Sequence, residues 1–246
     1  VSGRRLIARG SLLAAAALGA VVAWLAERGY GRRFWYPYHR ALAGGRPRVE
    51  VVREARVRHR PSLEAAARAT GIAYPPSAVT LVGLKRERLL EAWVPKRDGW
   101  VRFRSYPVLA ASGGPGPKLR EGDRQVPEGV YRLTRLNPDS RYHLSVRIDY
   151  PNDFDRARGL ADGRTELGGD IYVHGKAVSI GCLAIGDEGI EELYTLLGDV
   201  GLERARILLA PGSSLAVPAG APPWLGDLYR QLAAELRRLG REVRGP

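Results

Sequence analysis

At 246 residues the chain is long enough for one sizeable domain with extensions, and 45% hydrophobic with 26% charged residues excludes wholesale disorder. Its single cysteine, Cys182, excludes a disulfide scaffold or a multi-thiolate metal cluster, and the four histidines (His39, His59, His143, His174) show no ligand spacing. No metal and no organic cofactor is therefore expected. The net charge of +13 is uneven: residues 1–60 hold 13 Arg against Glu27, Glu50 and Glu54, whereas the remainder holds 26 basic and 23 acidic side chains. A nucleic-acid binder carries its basic excess on the folded domain. Here the excess flanks an apolar segment, which favours a membrane-adjacent role and no nucleic-acid partner.

Arg4, Arg5 and Arg9 precede an uncharged run over 10–26, rich in Ala, Leu and Val. As a helix it would reach roughly 25 Å, short but feasible for a membrane span. The same pattern describes a secretory signal, so anchor and cleaved signal stay open for residues 1–28. Arg28, Arg32 and Arg33 after the run argue against export by the positive-inside rule. Residues 29–76 read as a basic linker, with Trp35, Tyr36 and Tyr38 suited to an interface and a short helix over 62–69.

From residue 77 the texture changes to short β-like runs. Strands are expected over 80–85, 89–95 and 100–106, with Lys96-Arg97-Asp98-Gly99 as a hairpin turn. A long Gly/Pro-rich loop over 112–129 leads into a strand over 130–136. Over 142–150 Leu144, Val146 and Ile148 take one face, and His143, Ser145, Arg147 and Asp149 the other. A strand over 171–174, a helix over 189–197 with Asp187 as N-cap, a buried strand over 205–210 and a helix over 224–239 complete the pattern. The last helix places Leu225, Leu228, Leu232, Leu236 and Leu239 on one stripe, and Gly240 ends it. A mostly β domain over 77–212 is expected, with a C-terminal amphipathic helix in 213–246 packed on it.

The stretch Ile171-Tyr-Val-His174-Gly175-Lys-Ala-Val-Ser179-Ile-Gly181-Cys182 carries the chemistry. A free thiol has a pKa of about 8.5, so a nucleophilic cysteine needs a base nearby. His174 at a strand end, one short loop from Cys182, fits that need. The backbone carbonyl near Gly175 is available to orient the imidazole, and N–H groups around Gly181 and Cys182 can face an oxyanion. Ser179 can bond within the loop or to substrate. The spacing by itself leaves open a buried structural thiol.

The run His174-Gly…Ser179-x-Gly181-Cys182 resembles the signature of the L,D-transpeptidase catalytic domain, the YkuD-type family. Ser112-Gly-Gly-Pro-Gly-Pro-Lys118, Glu121-Gly-Asp-Arg-Gln125-x-Pro127-Glu-Gly-x-Tyr131, Leu136-Asn-Pro-x-Ser-Arg-Tyr-His143-Leu-Ser and Tyr150-Pro-Asn152 extend the likeness over roughly residues 79–210. They resemble in particular the murein branch, which includes an amidase that releases lipoprotein from peptidoglycan. The resemblance implies a β-sandwich-like fold with the cysteine on a loop at one end. It implies Cys182 as nucleophile, His174 as general base, Gly175 and Gly181 as part of the catalytic environment, and a thioester formed at the diaminopimelate-side amide of a stem peptide. Ser179, Arg141, Tyr142, His143 and Tyr172 become candidates for the substrate cleft. Two departures stand out: many members carry His where this chain has Ile180, and Arg or Asn where it has Ala184.

What the resemblance implies is a cysteine acyltransferase of the periplasm or cell envelope. Its partners would be peptidoglycan stem peptides, an envelope lipoprotein, and the membrane through the N-terminal segment. A hydrolytic member and a catalytically silent peptidoglycan-binding module are the alternatives.

Overall fold

The computed structural model describes residues 48–245. The apolar run over 10–26 and the aromatics at Trp35, Tyr36 and Tyr38 lie outside them. Among the described residues no helix is long and apolar enough to cross a membrane.

Chain order is α1 (Arg48–Thr70), β1 (Val79–Leu84), β2 (Leu89–Lys96), β3 (Gly99–Pro107), β4 (Gly129–Asn137), β5 (Ser145–Ile148), α2 (Asp153–Ala161), β6 (Tyr172–His174), β7 (Leu183–Ala184), α3 (Gly186–Val200), a 3₁₀ turn (Leu202–Arg204), β8 (Ala205–Ala210) and α4 (Leu225–Arg238). The eight strands form one sheet in the order β3-β2-β1-β8-β4-β5-β6-β7. Its edges approach each other: the segment after β3 bridges β7 at Ala110–Ala184, so the sheet curls into a half-barrel. The expected β character holds, but the sandwich-like layout takes the form of a single curled sheet with helices on both faces.

Both faces are covered at its centre, and all six residues of β1 are consequently buried. On one face Leu81, Leu90, Val94, Ile207 and Leu209 pack with Leu63 of α1 and Ile190, Leu193 and Leu197 of α3. On the other, Val82, Leu84, Trp93, Leu208 and Ala210 meet Leu225, Leu228, Leu232, Leu236 and Leu239. That stripe was legible from its spacing, and each fully buried leucine contributes roughly 1.5–3 kcal/mol.

Three expectations need correction. The helix placed over 62–69 begins at Arg48 and runs through Pro61. Proline inside a helix costs about 3 kcal/mol, which is why the sequence suggests a start after it. Burial of Ala55, Leu63 and Ala67 offsets that cost. Asp187 is not the N-cap of α3; Ile185 holds that place without a side-chain bond. Asp187 instead accepts from the Lys176 N–H at 2.9 Å and Lys176 Nζ at 2.6 Å. Helix α2 was not anticipated, although Asn152 and Asp155 form a full capping box at its start.

A buried ion pair organises the 112–128 loop. Lys85 Nζ donates to Gly116 O (2.7 Å), Val126 O (3.0 Å) and Glu128 Oε1 (3.0 Å). Tyr229 of α4 donates to the other Glu128 oxygen at 2.7 Å. The C-terminal helix thus braces the loop that flanks Cys182.

Candidate active site

Strands β6 and β7 run parallel, with Val173 opposite Leu183 and His174 opposite Ala184. Extending that register sets Cys182 beside Tyr172, on the same face as His174 by the two-residue alternation. One pleat along and one strand across separates such positions by about 8 Å at the backbone. Among the described residues no hydrogen bond joins the two in this conformation. The Cys182 thiol instead lies 3.6 Å from Asp170 O.

His174 is buried, and its Nδ1 lies 2.6 Å from Gly175 O. A carbonyl only accepts, so Nδ1 carries the proton and Nε2 is left as the basic nitrogen. The Tyr142 ring covers the imidazole at a centroid distance of 4.5 Å and a tilt of 30°. Burial pushes the His174 pKa below its ordinary value, against the bond to Gly175 O. Burial also pushes the Cys182 thiol up, partly offset by the Tyr172 backbone N–H and by the Lys118 charge. Both shifts favour the uncharged forms, thiol and neutral imidazole, over an ion pair.

The Cys182 loop is held by hydroxyls. Ser179 Oγ accepts from Cys182 N at 3.0 Å and donates to Cys182 O at 2.7 Å, so this residue serves the loop itself. Gly181 has φ +87°, a left-handed turn that favours glycine. Its N–H donates to Ser112 Oγ at 2.7 Å. The N–H groups of Gly181 and Cys182, expected to face an oxyanion, are thus both engaged by serine hydroxyls here.

The remaining candidates divide. Tyr172 on β6 is half-buried, with its hydroxyl 3.4 Å from Asp170 Oδ1. Arg141 is exposed on the loop before Tyr142. His143 does not join the thiol loop; its Nε2 lies 2.7 Å from Glu191 Oε1 on α3. Ala184 is fully buried in β7, where its backbone bonds Leu109 and Ala110, so the position faces no cleft. Ile180 is 76% exposed, with Val178 also exposed on the same loop.

Sequence reasoning gave no role to Ser112, Lys118, Asp170 or Glu191. Ser112 and Lys118 stood inside a Gly/Pro-rich stretch with no periodicity to orient them. Lys118 is buried, donating to Asp123 Oδ1 at 2.6 Å and Arg120 O at 2.8 Å. Burial acts to raise the Asp123 pKa, but Lys118 and the N–H groups of Arg120, Gln125 and Leu119 hold it below its ordinary value.

Gly175 has no room for a side chain, since an added Cβ would sit 2.6 Å from both Tyr142 O and Asp187 Oδ1. Gly175→Ala is expected to push Tyr142 off the imidazole and lower turnover by about 100-fold, the scale of a 1 Å misplacement. Steady-state rates of the folded variant check this.

The model of the YkuD family, the L,D-transpeptidase catalytic domain, matches residues 78–210, more than half of the chain. The chain is 40% identical over 120 residues to YafK of Escherichia coli (strain K12), a protein assigned to the L,D-transpeptidases. That match covers 48% of this chain and 46% of the relative, so the chain spans about half the length of the curated relatives it matches. It is also similar to the helical cell shape determining protein Pgp2 from Campylobacter jejuni: 20% identity, TM-score 0.47, covering 67% of this chain and 57% of that one. For Bd1075 from Bdellovibrio bacteriovorus the figures are 20%, 0.42, 67% and 58%. At those TM-scores neither likeness bears on the activity. On the extent of the family match, the chain belongs to the L,D-transpeptidase catalytic-domain family.

Proposed function

We propose that the chain is a peptidoglycan-acting cysteine acyltransferase. Cys182 Sγ attacks the carbonyl of the diaminopimelate-side amide of a stem peptide while His174 Nε2 takes the thiol proton. The amide C–N bond breaks, the amine leaves with that proton, and a thioester remains. An amine acceptor or water then resolves it, regenerating the thiol. In this reading the substrate carbonyl displaces the Ser112 hydroxyl from the Gly181 N–H on binding. The observation that carries it is the tautomer: the Gly175 carbonyl fixes the proton on Nδ1 and leaves Nε2 free to act as base.

The same reading sets the reaction in the periplasm or cell envelope, with residues 1–28 as signal or anchor. Domain limits of 29–76, 77–212 and 213–246 follow the sequence, and envelope lipoprotein joins the stem peptide as a partner. Mass spectrometry of sacculi carrying bound lipoprotein, incubated with the purified chain, tests it. Amine-exchanged or cross-linked stems are expected. Released lipoprotein or shortened stems would assign a hydrolase that uses the same thioester. Unchanged sacculi would leave a silent binding module.

A further inference from the structure

Helix α1 turns a stripe at every fourth residue toward the core. Ala55, Leu63 and Ala67 are at most 1% exposed, and His59 occupies the remaining position between them. Packing alone would favour an apolar residue there. The histidine is instead met by a carboxylate: His59 Nε2 lies 3.0 Å from Glu191 Oε2, and Arg58 reaches the same oxygen at 2.8 Å. The other oxygen of Glu191 lies 2.7 Å from His143 Nε2. One buried side chain on α3 therefore ties α1 to the loop that precedes β5.

That loop reaches the base. His143 has φ +75°, a left-handed conformation uncommon for a residue with a side chain. The reversal sets Tyr142 back over β6, where its ring covers His174 and its carbonyl closes on Gly175. Asp187, with Lys176 bound to it, lies one turn before Glu191 on α3, also against Gly175. Nothing in the chemistry of the thioester requires a second or third histidine, yet both are spent on one carboxylate.

We infer that Glu191, by holding His143 and His59 on its two oxygens, fixes the Tyr142 ring against His174, which makes His143 a positioning residue for the base. The inference rests on the reading of His174 as that base. It also gives α1 a route to the active site, since His59 sits on the same carboxylate as His143.

The test is the rate of Cys182 alkylation by iodoacetamide in the full chain, followed across pH, with His174→Ala as reference. His143→Asn tolerates the left-handed turn and is too short to reach Glu191; it is expected to slow alkylation about tenfold, within the range lost when outer partners of a histidine are removed. His143→Gln, whose amide nitrogen reaches the same place, is expected to restore the rate to within about twofold by retaining that partner. Tyr142→Ala should lose as much as His143→Asn, and the double variant no more than either, because both act on one contact. A wild-type rate and pH profile in His143→Asn, equal loss in the Gln and Asn variants, or additive losses would each overturn the inference. Should His143→Asn fail to fold, Tyr142→Ala decides, and unchanged alkylation there overturns it. Alkylation insensitive to His174→Ala would instead overturn the reading of the base, whatever the His143 variants do.

Discussion

Cys182→Ala is expected to abolish turnover, by about 10⁶-fold on the scale seen when the nucleophile of a comparable acyl-transfer site is removed. The fold should survive, because the side chain is only half-buried and belongs to a loop held by Ser179 and Ser112 through backbone groups. Stem-peptide binding should survive with it, so a loss of binding in step with activity would count against a nucleophilic role. His174→Ala should slow the reaction by roughly 10²–10⁴-fold, the contribution of a positioned general base. The pH profile carries the sign. The imidazole must be neutral to accept a proton, and burial holds its pKa below the ordinary 6.5, so the acid limb of activity should lie below that value. Burial holds the thiol above its ordinary value, so thiolate formation should add rate only in the alkaline range. In His174→Ala the acid limb should vanish. An inflection near neutrality that survives this change would mean that another group controls the thiol.

Glu128→Ala is expected to destabilise the fold by about 3–5 kcal/mol, the cost of leaving one partner of a buried pair uncompensated. Its side chain is fully buried, and Lys85 beside it is 8% exposed. Burial drives the Lys85 pKa down, and the Glu128 charge is the main influence holding it up. Removing the acid also strands the Tyr229 hydroxyl and the Gly116 N–H, both bonded to it. Urea denaturation followed by circular dichroism reads the change as a fall in midpoint. Tyr229→Phe removes one hydrogen bond from the same carboxylate and should cost only about 1–3 kcal/mol. A similar loss in both variants would show that the helix contact, not the ion pair, carries the stability. Since the loop flanking Cys182 hangs on this pair, Glu128→Ala should also loosen the Ser112 contact to Gly181 and lower activity below the melting range.

Much of this was already present in the chain. The alternation of Leu144, Val146 and Ile148, the leucine stripe of α4 and the apolar run of β8 each set an element by a periodicity that packing later uses. Cys182 and His174 stood out as a candidate pair because glycines bracket a short loop between a strand and a lone cysteine, and because separated motifs recur in family order. Tertiary structure alone decided the rest. A proline hid the first half of α1, since local propensity penalises Pro61 while only the folded core supplies the burial that outweighs it. The curl of the sheet was invisible, because the Ala110–Ala184 bridge joins residues with no shared pattern. His143 read as an outward strand residue, yet a left-handed turn commits it to Glu191, a residue with nothing in its sequence context to mark it. Sequence fixes which groups are present and the local period they follow; which buried charge meets which histidine depends on long-range packing, and no local period encodes that.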